Sequence, residues 1–114
     1  MNINPETEKK IEELQLLEHN IQQFLMQKQT FQVELNECLN AIEEVKRSDG
    51  EIYKVIGEVM IKSEKEKTLK DLEEKKRVLE IRVSSIEKQE KLLENKANNI
   101  RKEINEFVGK NSGK

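Results

Sequence analysis

His19 and Cys38 are the only histidine and the only cysteine of the chain. Proton transfer, thiolate attack or metal ligation would have to start from them, and neither has company. A structural zinc site needs about four Cys or His ligands, which this composition does not supply. His19 falls on the outer face of an amphipathic helix and reads as a surface residue. Cys38 falls in an apolar stripe and reads as a small core residue. It also excludes an internal disulfide and fits a reducing compartment. Gly57 is isolated, so no Gly-rich phosphate loop is formed. The acidic residues are spread along solvated faces, and without a concave pocket they make no acid/base pair. These residues predict no enzyme, no cofactor and no metal.

What the residue types do prepare is burial. Ile52-Tyr53-Lys54-Val55-Ile56-Gly57-Glu58-Val59-Met60-Ile61-Lys62 is rich in β-branched, aromatic and large apolar side chains, which favour strands. Gly57-Glu58 suits a two-residue loop with Gly in the φ > 0 position of a type II′ turn. That loop pairs Ile56 with Val59, Val55 with Met60, Lys54 with Ile61 and Tyr53 with Lys62. Ile52, Ile56, Val59 and Ile61 then share one face, and Tyr53, Val55 and Met60 the other. A lone hairpin is marginal in water, and both edges carry unpaired backbone groups. The hairpin is therefore the expected oligomerisation element.

Two long segments flank it. Of 114 residues 39% are charged and 4% aromatic, with a single proline, Pro5; this is the profile of long amphipathic helices. A first helix is expected over about 5–47, capped by Asn4 with Pro5 at its first position. Its apolar residues recur at Leu14, Leu17, Ile21, Phe24, Phe31, Leu35, Cys38, Ile42 and Val45. The steps alternate three and four, with Lys28 filling one gap, which is a heptad seam. Gly50 is expected to end it as a left-handed cap. The second helix, about 64–108, starts near two capping-box patterns at Ser63 and Thr68. Its seam is Leu69, Leu72, Lys76, Leu79, Val83, Ile86, Glu90, Leu93, Ala97, Ile100, Ile104 and Phe107. Residues 109–114 are expected to be a disordered tail.

The seams complement each other in antiparallel order. Val45 faces Leu69, Ile42 faces Leu72, and the register runs on to Leu14 facing Ile100, one residue off the hairpin register. The expected fold is mainly α: a single domain over 1–114, an antiparallel two-helix coiled coil joined by one β-hairpin, each helix about 60 Å long at ~1.5 Å per residue. Lys28 lies one layer from Glu90, where they either pair or snorkel separately to water. Lys76 faces Cys38. At the open end Ile104 would face Lys10 and Phe107 would face Thr7, leaving neither with an apolar partner in its layer. Ile11, Leu16 and Val108 also lie outside the seam. Such a cluster at a free end suggests contact with another molecule.

Twenty-one basic and twenty-three acidic residues give a net charge of −2, with the signs interspersed. No basic block addresses nucleic acid, and no run approaches the ~20 apolar residues of a membrane span. The N-terminus has neither a signal nor a transit pattern, so a cytoplasmic location is expected.

On Tyr53-Lys54-Val55-Ile56-Gly57, Met60-Ile61-Lys62 and Glu64-Lys65-Glu66-Lys67-Thr68-Leu69, set between mirrored heptad helices, the chain resembles the beta subunits of archaeal-type prefoldin. The resemblance extends from about Glu8 to Phe107. It implies a heterohexamer of two alpha-type and four beta subunits, joined through their hairpins into a β-barrel platform. It implies a chaperone that holds unfolded proteins at the coiled-coil tips without ATP and passes them to a group II chaperonin. Carried onto this chain, client binding falls to Ile11, Leu14, Leu16 and Leu17 and to Ile100, Ile104, Phe107 and Val108. Oligomerisation falls to Ile52, Tyr53, Val55, Ile56, Gly57, Val59, Met60 and Ile61. The alternative is a structural or adaptor coiled coil that oligomerises without binding clients.

Overall fold

A computed structural model describes residues 4–112, with side chains described through Gly109. The element order is α1 (Pro5–Arg47), β1 (Ile52–Ile56), β2 (Val59–Ser63) and α2 (Lys65–Ser112). The chain divides into two compact units, Met1–Lys28 with Ser85–Lys114, and Gln29–Ser84.

The start of α1 follows from its first residues. The side-chain oxygen of Asn4 accepts the Thr7 backbone N–H at 2.7 Å, relieving one of the orphan donors of a first turn. Glu6 and Glu8 lie in that turn and Lys46 and Arg47 in the last one, each sign matched to the helix dipole. At the other end the Ser48 N–H is shared between the carbonyls of Glu44 and Val45, at 3.1 and 3.2 Å. Lys65 Nζ then donates to the carbonyls of Lys46 and Ser48, at 3.1 and 2.9 Å. Gly50 has no positive φ, so the expected left-handed glycine cap is not formed. The first cation of α2 satisfies the carbonyls that such a cap would have served.

In the unit that holds the helix ends, Leu17, Ile21, Ala97 and Ile100 form a buried cluster, with Leu14, Leu25, Leu93 and Ile104 packed against it. Burying a side chain of the size of Leu17, Ile21 or Ile100 contributes about 1.5–3 kcal/mol. Ala97 is fully covered, so the seam closes tightly at that layer. In the other unit Cys38, Ile42 and Leu79 are buried, supported by Phe31, Leu35, Leu69 and Leu72. The guanidinium of Arg82 lies 5.6 Å from the centre of the Phe31 ring, a cation–π distance. Every expected seam position is buried or half-buried.

α2 does not stop at Gly109; the helix runs to Ser112. A mid-helix glycine costs roughly 1 kcal/mol relative to alanine, which weakens a helix without terminating it. The expected disordered tail is thus helical over 109–112, and its last two residues lie outside the described ones.

The hairpin forms in the expected register, Ile56 against Val59 through Tyr53 against Lys62, with one further pair, Ile52 against Ser63. Gly57 has φ +59 and Glu58 does not share the positive sign, the pattern of a type II′ turn. The sheet has two strands, so each keeps one edge unpaired within the chain.

Candidate functional site

The hairpin presents a large apolar surface on a small scaffold. Tyr53, Val55, Ile56, Val59, Met60 and Ile61 are between 48% and 66% exposed, and Ile52 is half-buried. Both faces are apolar, because cross-strand partners point to the same side and successive residues to opposite sides. One face carries Ile52, Ile56, Val59 and Ile61, with Lys54; the other carries Tyr53, Val55 and Met60, with Lys62.

A polar clamp borders the second face. Glu51 accepts a hydrogen bond from the Tyr53 hydroxyl on one carboxylate oxygen and an ion pair from Lys62 Nζ at 3.1 Å on the other. The Tyr53 hydroxyl, then Lys62, hold the Glu51 carboxyl below the usual carboxylate range. In return the Glu51 carboxylate pushes the Tyr53 phenol up. Tyr53 and Lys62 are cross-strand partners, so a single acid ties both strands together at the base of the hairpin.

Across the seam, Lys28 Nζ meets Glu90 Oε1 at 3.2 Å, and the two side chains are only 18% and 20% exposed. Of the two arrangements open to these residues, the pair is the one formed. Glu90 Oε2 is buried without a hydrogen-bond partner. Cys38 is buried as expected, its thiol donating to the Leu72 carbonyl at 3.2 Å, and Lys76 is half-buried.

The helix ends differ from expectation. Leu17 and Ile100 are each 7% exposed, so they are core residues in the closed seam. Ile104 is not partnerless: it packs against the cluster that contains Ile100, its neighbour one turn earlier. Thr7 is buried and Phe107 half-buried. Layer-by-layer pairing missed this because side chains on one helix also cover each other at a spacing of four. Lys10 Nζ bonds Glu103 across the helices, and that bond raises the lysine above its ordinary range. Ile11 and Leu14 are half-buried, whereas Leu16 is 61% exposed and Val108 36%.

Sequence reasoning passed over Met26 and Leu92 in this unit, and over Val33 and Ile81 in the other; each is more than half exposed. Their signal was an apolar residue outside the three-four alternation. His19 is exposed. Among the described residues no group of three or more His, Cys, Asp or Glu could hold a metal ion. No helix among them is long and apolar enough to cross a membrane. A depression along α2 is lined by Lys70, Glu73, Glu74, Lys76, Arg77 and Glu80, a charged and open surface.

Two long helices around one exposed hairpin can be compared with known proteins. A family described as prefoldin subunit matches residues 8–111. The chain belongs to the prefoldin family. Within the family it is similar to the beta class. It is 33% identical to the prefoldin subunit beta of Pyrococcus furiosus over 105 residues, 90% of each chain. It is 35% identical to that of Thermococcus onnurineus, again over 90% of each. The crystal structure of the prefoldin beta subunit from Thermococcus strain KS-1 superposes with a TM-score of 0.87 at 31% identity, covering 93% of this chain and 95% of that one. The prefoldin beta fold therefore accounts for the single hairpin between paired helices.

Proposed function

We propose that this chain is a subunit of a holdase chaperone that works in the cytoplasm without ATP. Its hairpin joins two alpha-type and four beta-type subunits through a β-barrel platform. The helix ends hold unfolded proteins and pass them to a group II chaperonin. One observation supports this reading above the others: six hairpin side chains, 48% to 66% exposed, lie on both faces of a sheet with two open edges. Such a surface aggregates unless another chain covers it. Membership of the prefoldin family supports the chaperone role.

At the helix ends Leu16 is 61% exposed and Val108 36%. Ile11, Leu14, Ile104 and Phe107 are partly available, and Leu17 and Ile100 join them only when the end of the seam frays. A half-buried apolar contact contributes about 1–2 kcal/mol. One end binds weakly, and several ends on one client bind tightly through effective concentration.

The burial of Leu17 and Ile100 in a closed seam, with Ile104 packed against them, favours a second reading, an adaptor that assembles without holding clients. Native mass spectrometry with an alpha-type subunit, followed by aggregation assays on a denatured unrelated enzyme, separates the two. The chaperone reading expects a heterohexamer that suppresses aggregation. Removing about two heptads from both helix ends should abolish suppression and leave the hexamer intact. A hexamer with no suppression, or a stable dimer of this chain alone, supports the adaptor, and failure to assemble with any alpha-type subunit overturns the chaperone reading.

A further inference from the structure

The Lys28–Glu90 pair is a poor device for stability. Two half-buried charges meet through one contact at 3.2 Å, and Glu90 Oε2 is left buried without a hydrogen-bond partner. Both residues occupy seam positions, where the rest of the unit uses Leu14, Leu17, Ile21, Leu93 and Ile100. Two leucines would pack there without stranding a carboxylate oxygen, and exchanges of that kind are often neutral or stabilising. The pair is explained by what it excludes.

We propose that Lys28 and Glu90 stop each helix from pairing in parallel with the same helix of a second copy. The seam of α1 is apolar on both sides of Lys28, through Phe24 and Ile21 toward its start and Phe31 and Leu35 toward its end. It is a competent coiled-coil surface in its own right. In a parallel pair of two α1 helices every seam residue meets itself. Phe24, Leu35 and Cys38 accept that. Lys28 does not, because two ammonium groups would share one partly buried layer with no acid in reach. A parallel pair of α2 helices likewise sets Glu90 against Glu90. Of these pairings only α1 with an antiparallel α2 brings opposite charges together. The mispaired state is penalised more than the correct one, which is how one polar seam position selects a partner.

The exclusion matters because α1 precedes α2. During synthesis the α1 seam is exposed before its intended partner exists, and during refolding before that partner has docked, and exposed seams on neighbouring copies meet at high concentration. This inference does not depend on client binding.

Cys38 serves as the reporter. It is the only cysteine and sits in the seam, buried against the Leu72 carbonyl in the correct fold. A parallel α1 pair would bring it opposite Cys38 of the second copy. The full chain is refolded from denaturant over a range of concentrations with a short bis-maleimide cross-linker. Three forms are compared: wild type, Lys28→Leu/Glu90→Leu, and the exchanged Lys28→Glu/Glu90→Lys. The leucine variant should give several-fold more Cys38-linked dimer than wild type, rising with concentration, at unchanged helical circular dichroism. The exchanged variant should stay at the wild-type level. Equal cross-linking in wild type and the leucine variant overturns the inference, as does heavy cross-linking in the exchanged variant. Loss of helix in the leucine variant also overturns it, since the pair would then be holding the fold.

Discussion

Replacing Val55 with aspartate should dismantle the assembly and leave the helices standing. Val55 and Met60 face each other across the hairpin and are 65% and 66% exposed in the chain. A neighbour that covers Val55 recovers roughly two-thirds of a full burial of ~1.5–3 kcal/mol, so about 1–2 kcal/mol per copy. Aspartate forfeits that gain. It also forces a carboxylate into a face that must lose its water, at several kcal/mol, because the one cation on that face, Lys62, is already paired with Glu51. Together these exceed about 4 kcal/mol, or about a thousandfold in Kd for one interface. In the free chain Val55 is 65% exposed and lies in β1, outside both helix seams, so the same aspartate faces water. Size-exclusion chromatography and native mass spectrometry with an alpha-type subunit should therefore show unassembled chains at concentrations where wild type is fully assembled. Far-ultraviolet circular dichroism should stay within a few per cent of wild type. An intact hetero-oligomer at unchanged concentration would refute the reasoning and remove the hairpin from its assembly role.

Three further outcomes follow from the packing. Ala97 is fully covered in the Leu17 cluster, so Ala97→Leu should overpack that layer, costing about 1–3 kcal/mol and lowering the thermal midpoint by several degrees in a circular dichroism melt. Lys28→Met strands a carboxylate that is only about one-fifth exposed, an expected loss of roughly 1–3 kcal/mol, which adding Glu90→Leu should reverse in the same melt. The Glu51 clamp should be pH-dependent with a defined sign. Its carboxyl is depressed in the folded chain, by Tyr53 first and Lys62 second, so its contribution is complete above the ordinary carboxylate range and is lost as the pH falls through the lowered value. Tyr53 ring resonances should shift over that acid interval, and Glu51→Gln should flatten the titration.

Short-range patterns were legible in the sequence because their causes are local. The three-four alternation from Leu14 to Val45 and from Leu69 to Phe107 marks buried positions, since helix geometry places those residues on one side wherever the helix lies. The hairpin register could be read because a two-residue loop with a glycine at the φ > 0 position allows one pairing of the residues that follow. The Asn4 cap needed only the first turn. Glycine was the local signal that misled. At Gly50 the helix end is completed by Lys65, which no local pattern announces, and at Gly109 a residue of low propensity is carried within a long helix.

What the tertiary structure alone decided are the choices that depend on two chain segments at once. Lys28 and Glu90 could equally have reached for water. They pair because the antiparallel register sets them 3.2 Å apart with most of their solvent removed. Leu17 and Ile100 had the composition of a binding tip, yet each covers the other cluster members and leaves little surface free. Glu51 reaches Tyr53 along its own segment, but Lys62 only once the strands have met. Sequence by itself determined which residues are apolar, at what period, and where the chain turns back. Which of them stay exposed, and which charges meet, was settled by packing, because burial is a property of what another segment covers.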